Sequence, residues 1–201
     1  MVEDVRPTAV AIAPSGAMAG RDGQYVKHLS EMTGAYRDQG AHTALVDELG
    51  GETVVYRVEE NRLGAGTGAL ILGTSTLEPG MVGDEYAMTK GHLHRRADRA
   101  EVYYCVAGHG VMLMDRADGR SEALEMTPGV AVHVPGHWVH RSVNVGSTPL
   151  VTIFVYNEDA GQDYDLIAAA GGMSQLIVRQ GAVGWKAIPN PGHRGYPKDR
   201  Q

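Results

Sequence analysis

The sequence has very little cysteine. Cys105 is the single one among 201 residues, so no disulfide can form within the chain, which excludes a disulfide-stabilised scaffold. We expect Cys105 to be a small buried side chain in a strand. No apolar run approaches the roughly 20 residues that cross a bilayer, and the acidic N-terminus lacks the order of a signal peptide. We therefore expect a cytoplasmic protein without a membrane partner.

Positive charge is scarce as well. The chain has 18 Lys and Arg against 24 Asp and Glu, a formal net charge of -6, and its pI is near 5.8. This balance argues against a nucleic-acid partner but is compatible with a local basic pocket for one phosphate group. The 43% of apolar and 21% of charged residues are typical of a globular domain.

Glycine, in contrast, is abundant, with 27 residues. The glycines separate short runs that are rich in β-branched and aromatic side chains. Such short runs, each bounded by Gly, Pro or Asp, favour an antiparallel sandwich or barrel over alternating βαβ units. We predict an all-β fold with strands over 53–58, 69–76, 100–106, 111–115, 130–134, 141–145 and 150–156.

Helical patterns lie outside this block. One covers 41–49, places Leu45, Val46 and Leu49 on one face and ends at two glycines; a second covers 164–170. The tail around 189–193 is expected to be irregular. We predict an N-terminal arm with a short helix over 1–50, a barrel domain over 51–180 and a C-terminal tail over 181–201.

Four side chains indicate a metal site. His92 and His94 are separated by one residue, so on a strand they share a face, and Glu101 begins the next predicted strand. His140 follows about forty residues later, at a turn that leads into another strand. Three neutral imidazoles and one carboxylate suit one divalent ion per subunit, with Fe2+ or Mn2+ expected first and Zn2+, Ni2+ or Co2+ as alternatives.

Together these two blocks resemble the paired sequence motifs of the cupin superfamily. The first motif consists of His92-x-His94, six further residues, Glu101 and later Gly108. The second motif runs from Gly129 through Pro135 and His140 to Asn144. The resemblance implies a double-stranded β-helix, or jelly-roll, barrel. His137 stands where the second motif has its middle glycine, so we expect the turn there to be built differently.

A narrower likeness covers roughly residues 26 to 180. The gap of six between His94 and Glu101 is longer than in most cupins and is similar to that of the cupin-type phosphoglucose isomerases. Further similar segments are Met88-Thr89-Lys90-Gly91-His92, Asp98-Arg99-Ala100-Glu101-Val102-Tyr103, Trp138-Val139-His140-Arg141-Ser142-Val143-Asn144 and Asp159-Ala160-Gly161. The resemblance implies interconversion of glucose 6-phosphate and fructose 6-phosphate, a step of glycolysis and gluconeogenesis.

The resemblance also implies a set of pocket residues. They are Tyr56, Ser75, Thr89, Gly91, Tyr103, Tyr156, Gln162 and Tyr164, with the substrate phosphate near Ser75, Thr89 and Gly91. A strict strand alternation would instead place Lys90 on the face of the two histidines, so Lys90 is also a candidate. Gln162 stands where the family tends to have His, and an amide cannot shuttle a proton near pH 7. We expect either a lower activity or a different substrate.

Isomerisation of an aldose to a ketose moves a hydrogen between two neighbouring carbons. The base expected from the sequence is Glu101, with Tyr156 or Tyr103 orienting or protonating the oxygens. A carboxylate bound firmly to a metal is a poor base, so hydride transfer stays open as the alternative route.

Two other functions stay open. One is a different metal-cupin reaction: isomerisation, epimerisation or dehydration of another sugar or biosynthetic intermediate, or an Fe(II) dioxygenase. The other is a non-catalytic sugar-binding cupin. A homodimer is expected from the likeness of the fold, because pairing protects exposed sheet edges.

Overall fold

The structure, a computed structural model, describes residues 6–182 and 184–197. Its helices are α1 (Gln39–Leu49) and α2 (Asp165–Ala169), with 3-10 turns at Leu29–Met32 and Glu158–Ala160. Its strands are β1 (Gly23–His28), β2 (Val54–Leu63), β3 (Leu70–Leu77), β4 (Met81–Val82), β5 (Glu85–Tyr86), β6 (Leu93–His94), β7 (Glu101–Ala107), β8 (Gly110–Asp115), β9 (Ser121–Met126), β10 (Ala131–Val134), β11 (Val139–Asn144), β12 (Leu150–Asn157), β13 (Gln162–Asp163), β14 (Gln175–Gln180) and β15 (Gly184–Pro189).

Antiparallel sheets enclose the core. The largest has the order β1-β2-β3-β12-β7-β10 and stands opposite a three-stranded sheet, β11-β8-β9. Along β7 the buried residues alternate with exposed ones, because successive side chains of a strand point to opposite faces. The strands β8 and β11 are buried throughout. The predicted all-β cupin barrel with a few short helices is confirmed.

Most predicted elements occur within one or two residues of their expected bounds. All seven predicted strands and both predicted helices are present. Cys105 is fully buried in β7, as expected. Eight strands were not predicted: β4, β5, β6 and β13, which have only two residues each, and β1, β9, β14 and β15, whose sequences are polar or mixed. The division into arm, barrel and tail stays a prediction.

Three observations refine the prediction. On the predicted face of α1, Leu45 and Val46 pack against the core while Leu49 is 53% exposed, and the buried side chain of α1 is His42. Within the segment expected to be a C-terminal tail, β15 pairs with β14 along its whole length. The turn at His137 has a left-handed backbone, with a φ of 68°, which glycine adopts easily and which costs a non-glycine residue some free energy.

Side-chain hydrogen bonds tie segments before β1 and after β15 to the strands. Beyond β15, Tyr196 donates a hydrogen bond to the buried carboxylate of Asp115 (2.9 Å), which also accepts from the backbone and the hydroxyl of Ser174. At the other end, Ser15 and Gly16 accept hydrogen bonds from threonine hydroxyls of β3. Among the described residues, no helix has the length and apolar character needed to span a membrane.

Candidate metal centre and active site

Four buried side chains converge in the interior of the barrel. The carboxylate oxygen Oε2 of Glu101 lies 3.0 Å from Nε2 of His140, 3.3 Å from Nε2 of His94 and 3.9 Å from Nε2 of His92. One ligand atom from each of the four lies within 4.8 Å of the others. Each of the four residues is at least nine-tenths buried. The predicted convergence is therefore present.

Backbone pairing brings the two motifs together. The amide of His92 donates to the carbonyl of His140 and the amide of His140 donates to that of His92, both at 3.0 Å. The preceding residue, Gly91, has a φ of 72°, and a Cβ there would lie 2.7 Å from the carbonyl oxygen of His140. A side chain at Gly91 would thus separate the two histidine segments.

Two of the imidazoles have their tautomer fixed by the backbone. Nδ1 of His94 lies 2.9 Å from the carbonyl oxygen of Arg99, and Nδ1 of His140 lies 3.2 Å from that of Trp138. Because a carbonyl only accepts, Nδ1 must carry the hydrogen, which leaves Nε2 of a neutral ring with its lone pair. A metal-binding histidine usually donates its other ring N–H to a carbonyl or carboxylate oxygen in this way.

The donor set fits a cation. Lone pairs of Nε2 face a carboxylate oxygen at these distances, an arrangement that is repulsive unless a positive charge is shared between them. Nε2 of His92 and of His94 are buried without a hydrogen-bond partner among the described residues. Burial, followed by the proximity of His140, lowers the pKa of His92, so this ring is a neutral donor at pH 7. The four residues could hold one divalent ion.

The neighbouring histidines also determine the protonation state of Glu101. Burial by itself would raise the pKa of Glu101, but the adjoining His140 and His94 outweigh burial and hold the pKa well below its usual range. Glu101 is therefore a carboxylate, which is the form that binds a cation. A low pKa also makes it a weak base while those contacts last.

A cavity of about 470 Å³, counting the solvent space at its mouth, opens onto this cluster. Its floor is the inner face of the six-stranded sheet. The residues that line it are Tyr25, Tyr56, Val58, Ser75, Thr89, Gly91, His92, Glu101, Tyr103, His140, Arg141, Ser142, Phe154, Tyr156, Gln162 and Tyr164.

The tyrosine hydroxyls of the cavity are protonated at neutral pH. Burial raises the pKa of Tyr103 well above its ordinary value, and the charge of the neighbouring Glu101 raises it further. Burial likewise raises the pKa of Tyr56 and of Tyr156. These phenols are therefore available as hydrogen-bond donors and not as bases.

One side of the cavity is suited to an anion. The hydroxyl oxygen of Thr89 accepts from the backbone amide of Ser142 (3.1 Å), so its own hydrogen is free to donate. The guanidinium of Arg141 is buried and donates to the carbonyl oxygen of Lys90 (2.7 Å). Its Nε has no hydrogen-bond partner among the described residues. A buried cation beside a free hydroxyl could receive a phosphate oxygen.

The width of the cavity depends on a glycine in β3. Gly73 pairs with Phe154 across the sheet, and the ring of Phe154 lies directly over it. A Cβ on Gly73 would come within 2.1 Å of that ring. The phenyl ring keeps its position in the wall because its cross-strand neighbour has no side chain.

Most of the residues that line the cavity are the ones predicted from the sequence. All the predicted substrate and catalytic residues line the cavity except Lys90, which lines an adjacent cavity with Arg141 and Tyr164. Its predicted role stays a prediction. Tyr25 and Arg141 were missed as candidates. Pairing of 23–28 with β2 would have revealed Tyr25, but the strand signal of 23–28 is weak.

A β-barrel that buries three histidines and one glutamate around a common point, where they could hold a metal, is the arrangement of a cupin. A family model described as Glucose-6-phosphate isomerase (GPI) matches residues 26–194. The chain belongs to this family.

Similar proteins span most of the chain. It is 43% identical over 180 residues to the putative glucose-6-phosphate isomerase 1 of Rhizobium meliloti, covering 90% of this chain and 84% of that one. It is 41% identical over 155 residues to the glucose-6-phosphate isomerase of Thermococcus litoralis, covering 77% and 80%. A solved structure of Bacillus subtilis oxalate decarboxylase aligns with a TM-score of 0.43 and 23% identity, over 52% of this chain and 26% of that one.

Proposed function

We propose that this protein interconverts glucose 6-phosphate and fructose 6-phosphate, using one divalent ion held by His92, His94, Glu101 and His140. The observation that carries the proposal is the convergence of these four side chains at the base of a cavity whose far side offers groups for a phosphate. Relatives named glucose-6-phosphate isomerase cover most of the chain and support the same activity.

The reaction transfers a hydrogen between C1 and C2 of the open-chain sugar. A divalent ion, when bound, supplies Lewis-acid stabilisation of the charge that develops on the two neighbouring oxygens. Fe2+ or Mn2+ are our first expectation, with Zn2+, Ni2+ and Co2+ as alternatives, since ligand type alone does not choose among them.

The chain's own residues orient the sugar and move the proton. Tyr103 shares the buried face of β7 with Glu101, and Tyr156 lies beside His94 at a ring separation of 5.5 Å. In our proposal Glu101 takes the C2 proton and returns it to C1, once substrate entry has loosened its contacts and raised its basicity. Tyr103 and Tyr156 donate to the sugar oxygens.

A hydride shift directly from C2 to C1 is the alternative route. Isomerisation in D2O separates the two, because a proton carried by Glu101 exchanges with solvent. We expect deuterium in the product at low conversion, measured by mass spectrometry. Its complete absence would favour the hydride shift.

The phosphate is bound by Ser75, Thr89, Gly91 and Arg141 in this proposal. Ser75 and Thr89 provide hydroxyl donors. Gly91 allows the backbone to approach closely, since a loop without a side chain exposes its amide. Arg141 provides the one positive charge among the cavity-lining residues, apart from any charge on the histidines.

The decisive experiment combines metal analysis with an assay. Purified protein is stripped, reloaded with each of the five ions in turn and assayed by coupling fructose 6-phosphate to glucose 6-phosphate oxidation. We expect metal at about one equivalent per chain and turnover with at least one ion. Metal binding without turnover on either sugar phosphate would contradict the proposed reaction.

Gln162 favours a second candidate, a metal-dependent reaction on another sugar or biosynthetic intermediate. Its amide lines the cavity but cannot transfer a proton. Assays of the loaded protein with a panel of aldose and ketose phosphates test this candidate. A substrate that is turned over much faster than glucose 6-phosphate would establish it.

We further propose a cytoplasmic homodimer. The outer face of the six-stranded sheet exposes Val102 and Tyr104, which are 43% and 44% exposed, and β1 and β10 are its edges. Pairing through this sheet would cover both features. Light scattering coupled to size exclusion should give twice the chain mass, and a monomer would contradict the proposal.

A further inference from the structure

A second cavity adjoins the catalytic cavity and shares Arg141 with it. Its volume is about 950 Å³, counting the solvent space at its mouth. Arg37, Arg141 and Arg194 line it, and none of the described lining residues is acidic. We call this cavity the arginine groove. A cleft lined by charges of one sign concentrates ions of the opposite sign, so the groove is suited to an anion.

Hydrogen bonds anchor the two segments that carry the outer arginines. The turn before α1 is fixed by Glu85, whose carboxylate oxygen Oε1 accepts a hydrogen bond from the backbone amide of Arg37 (2.6 Å). In the C-terminal segment, the backbone amide of Arg194 donates to the carbonyl oxygen of Ala170, and Nη2 of Arg194 donates to that of Ala169, both at 2.8 Å. Both arginines therefore extend from a backbone that is held in place.

A glycine after α2 allows the C-terminal segment to pack here. Gly171 has a φ of 77°, and a Cβ at this position would lie 2.1 Å from the carbonyl oxygen of Gly192. The side-chain amide of Asn190 also donates to the carbonyl oxygen of Gly171 (3.1 Å). A side chain at Gly171 would therefore displace the segment that carries Arg194.

The charge of the two outer arginines is only partly neutralised. Nη2 of Arg37 forms an ion pair with Asp84 at 2.6 Å. Arg194 forms no ion pair with a described residue, since its side-chain hydrogen bond goes to the neutral carbonyl of Ala169. Positive charge is therefore available to a ligand that enters the groove.

The buried Arg141 lacks strong acceptors. Its Nη2 donates to the carbonyl oxygen of Lys90 (2.7 Å), and its Nη1 contacts the thioether sulfur of Met88, a weak acceptor. Its Nε has no hydrogen-bond partner among the described residues, although Arg141 is only 5% exposed. Buried donors are nearly always paired in folded proteins, so the arrangement indicates that an anion completes the set of partners.

We propose that the arginine groove is a second anion site, which takes a phosphorylated small molecule and thereby weakens binding of the substrate. Arg37 and Arg194 attract the anion, and Arg141 supplies the buried contact. Because Arg141 also borders the catalytic cavity, where we assign it to the substrate phosphate, the two anions compete for one guanidinium and repel each other. The effect on the substrate rests on the proposed function, whereas binding of the anion does not.

The first test is a calorimetric titration of the metal-loaded protein with inorganic phosphate. We expect two phosphates per chain, one in the catalytic cavity and one in the groove. Arg194→Gln should weaken the second site about 10-fold or more, because hydrogen bonds from charged groups are lost. Arg179→Gln, the same change at an exposed position of β14 outside the groove, is the matched control and should keep both sites.

Arg37→Gln changes the opposite segment of the groove and should also weaken the second site, even if Arg194→Gln folds poorly. A single phosphate per chain in the wild type would overturn the proposal. Two sites whose affinities stay the same in both folded variants would overturn it as well.

The second test measures the effect on the substrate. Initial rates with glucose 6-phosphate are recorded at increasing concentrations of inorganic phosphate. Arg194→Gln should leave KM without phosphate within about twofold of the wild type and should make KM about 3- to 10-fold less sensitive to phosphate. Equal sensitivity in the two proteins would show competition within the catalytic cavity alone and would overturn the coupling.

The two tests also separate this inference from the proposed function. A metal-loaded wild type without isomerase activity would overturn the proposed function, and with it the effect on the substrate. The titration would still decide whether the groove binds an anion, because it does not depend on turnover.

Discussion

The base and the rim of the cavity are built in different ways. The base consists of residues that are at least nine-tenths buried, supplied by two short motifs and joined by reciprocal backbone hydrogen bonds. The rim consists of the partly exposed residues Tyr25 of β1, Gln162 of β13 and Tyr164 just before α2. The chemistry is therefore encoded locally, whereas the contacts that select a ligand depend on segments distant in sequence. Four substitutions test this division.

The largest effect is expected at the base. His140→Ala removes one donor and leaves Glu101 without its nearest partner, which lies at 3.0 Å. We expect loss of bound metal and a fall in kcat/KM of more than the roughly 10- to 100-fold that outer-shell partners typically cost. Metal analysis and the coupled assay measure both. His133→Ala, on an exposed position of β10, is the control; retained metal in His140→Ala would refute the assignment of this ligand.

A smaller effect is expected on the phosphate side. Arg141→Gln removes the buried charge, and a hydrogen bond from a charged group contributes about 1.5–3 kcal/mol. KM for glucose 6-phosphate should rise about 10- to 100-fold, with kcat less affected, while Arg96→Gln at the surface changes neither. Circular dichroism checks that the variant is folded. If KM does not change in a folded variant, Arg141 has no contact with the phosphate.

A change at the rim should increase activity. Gln162→His introduces an imidazole that can transfer protons near pH 7. If opening of the sugar ring limits turnover, kcat should rise about 10-fold, a modest part of the effect of a positioned acid or base. A new inflection near pH 6.5 in the pH–rate profile would identify the histidine. An unchanged kcat would show that ring opening is not limiting.

The smallest effect on catalysis is expected away from both regions. Tyr196→Phe removes one of three hydrogen bonds to the buried Asp115. The free energy of unfolding should fall by about 1 kcal/mol and Tm by about 2–4 °C, with KM unchanged. Thermal unfolding and the coupled assay measure these values. A change in KM would mean that the C-terminal segment reaches the cavity.

The same division explains what the sequence could reveal. The sequence predicts that His92, His94 and Glu101 share a face. It does so because side-chain alternation and residue spacing relate residues that are close in sequence. Tyr25 could not be placed, since its position depends on the pairing of β1 with β2, and the sequence of β1 is polar. Arg141 follows His140 directly, and strict alternation would turn it away from the cluster. The cavity wraps around the end of β11, so both side chains reach it.

The contact between Gly73 and Phe154 has a consequence for the range of molecules that the protein can accommodate. The phenyl ring fills space that would otherwise extend the cavity as far as the backbone of β3. Trimming that ring to leucine or alanine would open a channel floored by a bare peptide unit, into which bulkier phosphorylated carbohydrates could extend. The room for a ligand on this side of the cavity thus depends on one pair of facing positions in the sheet, next to the rings of Tyr103 and Tyr156.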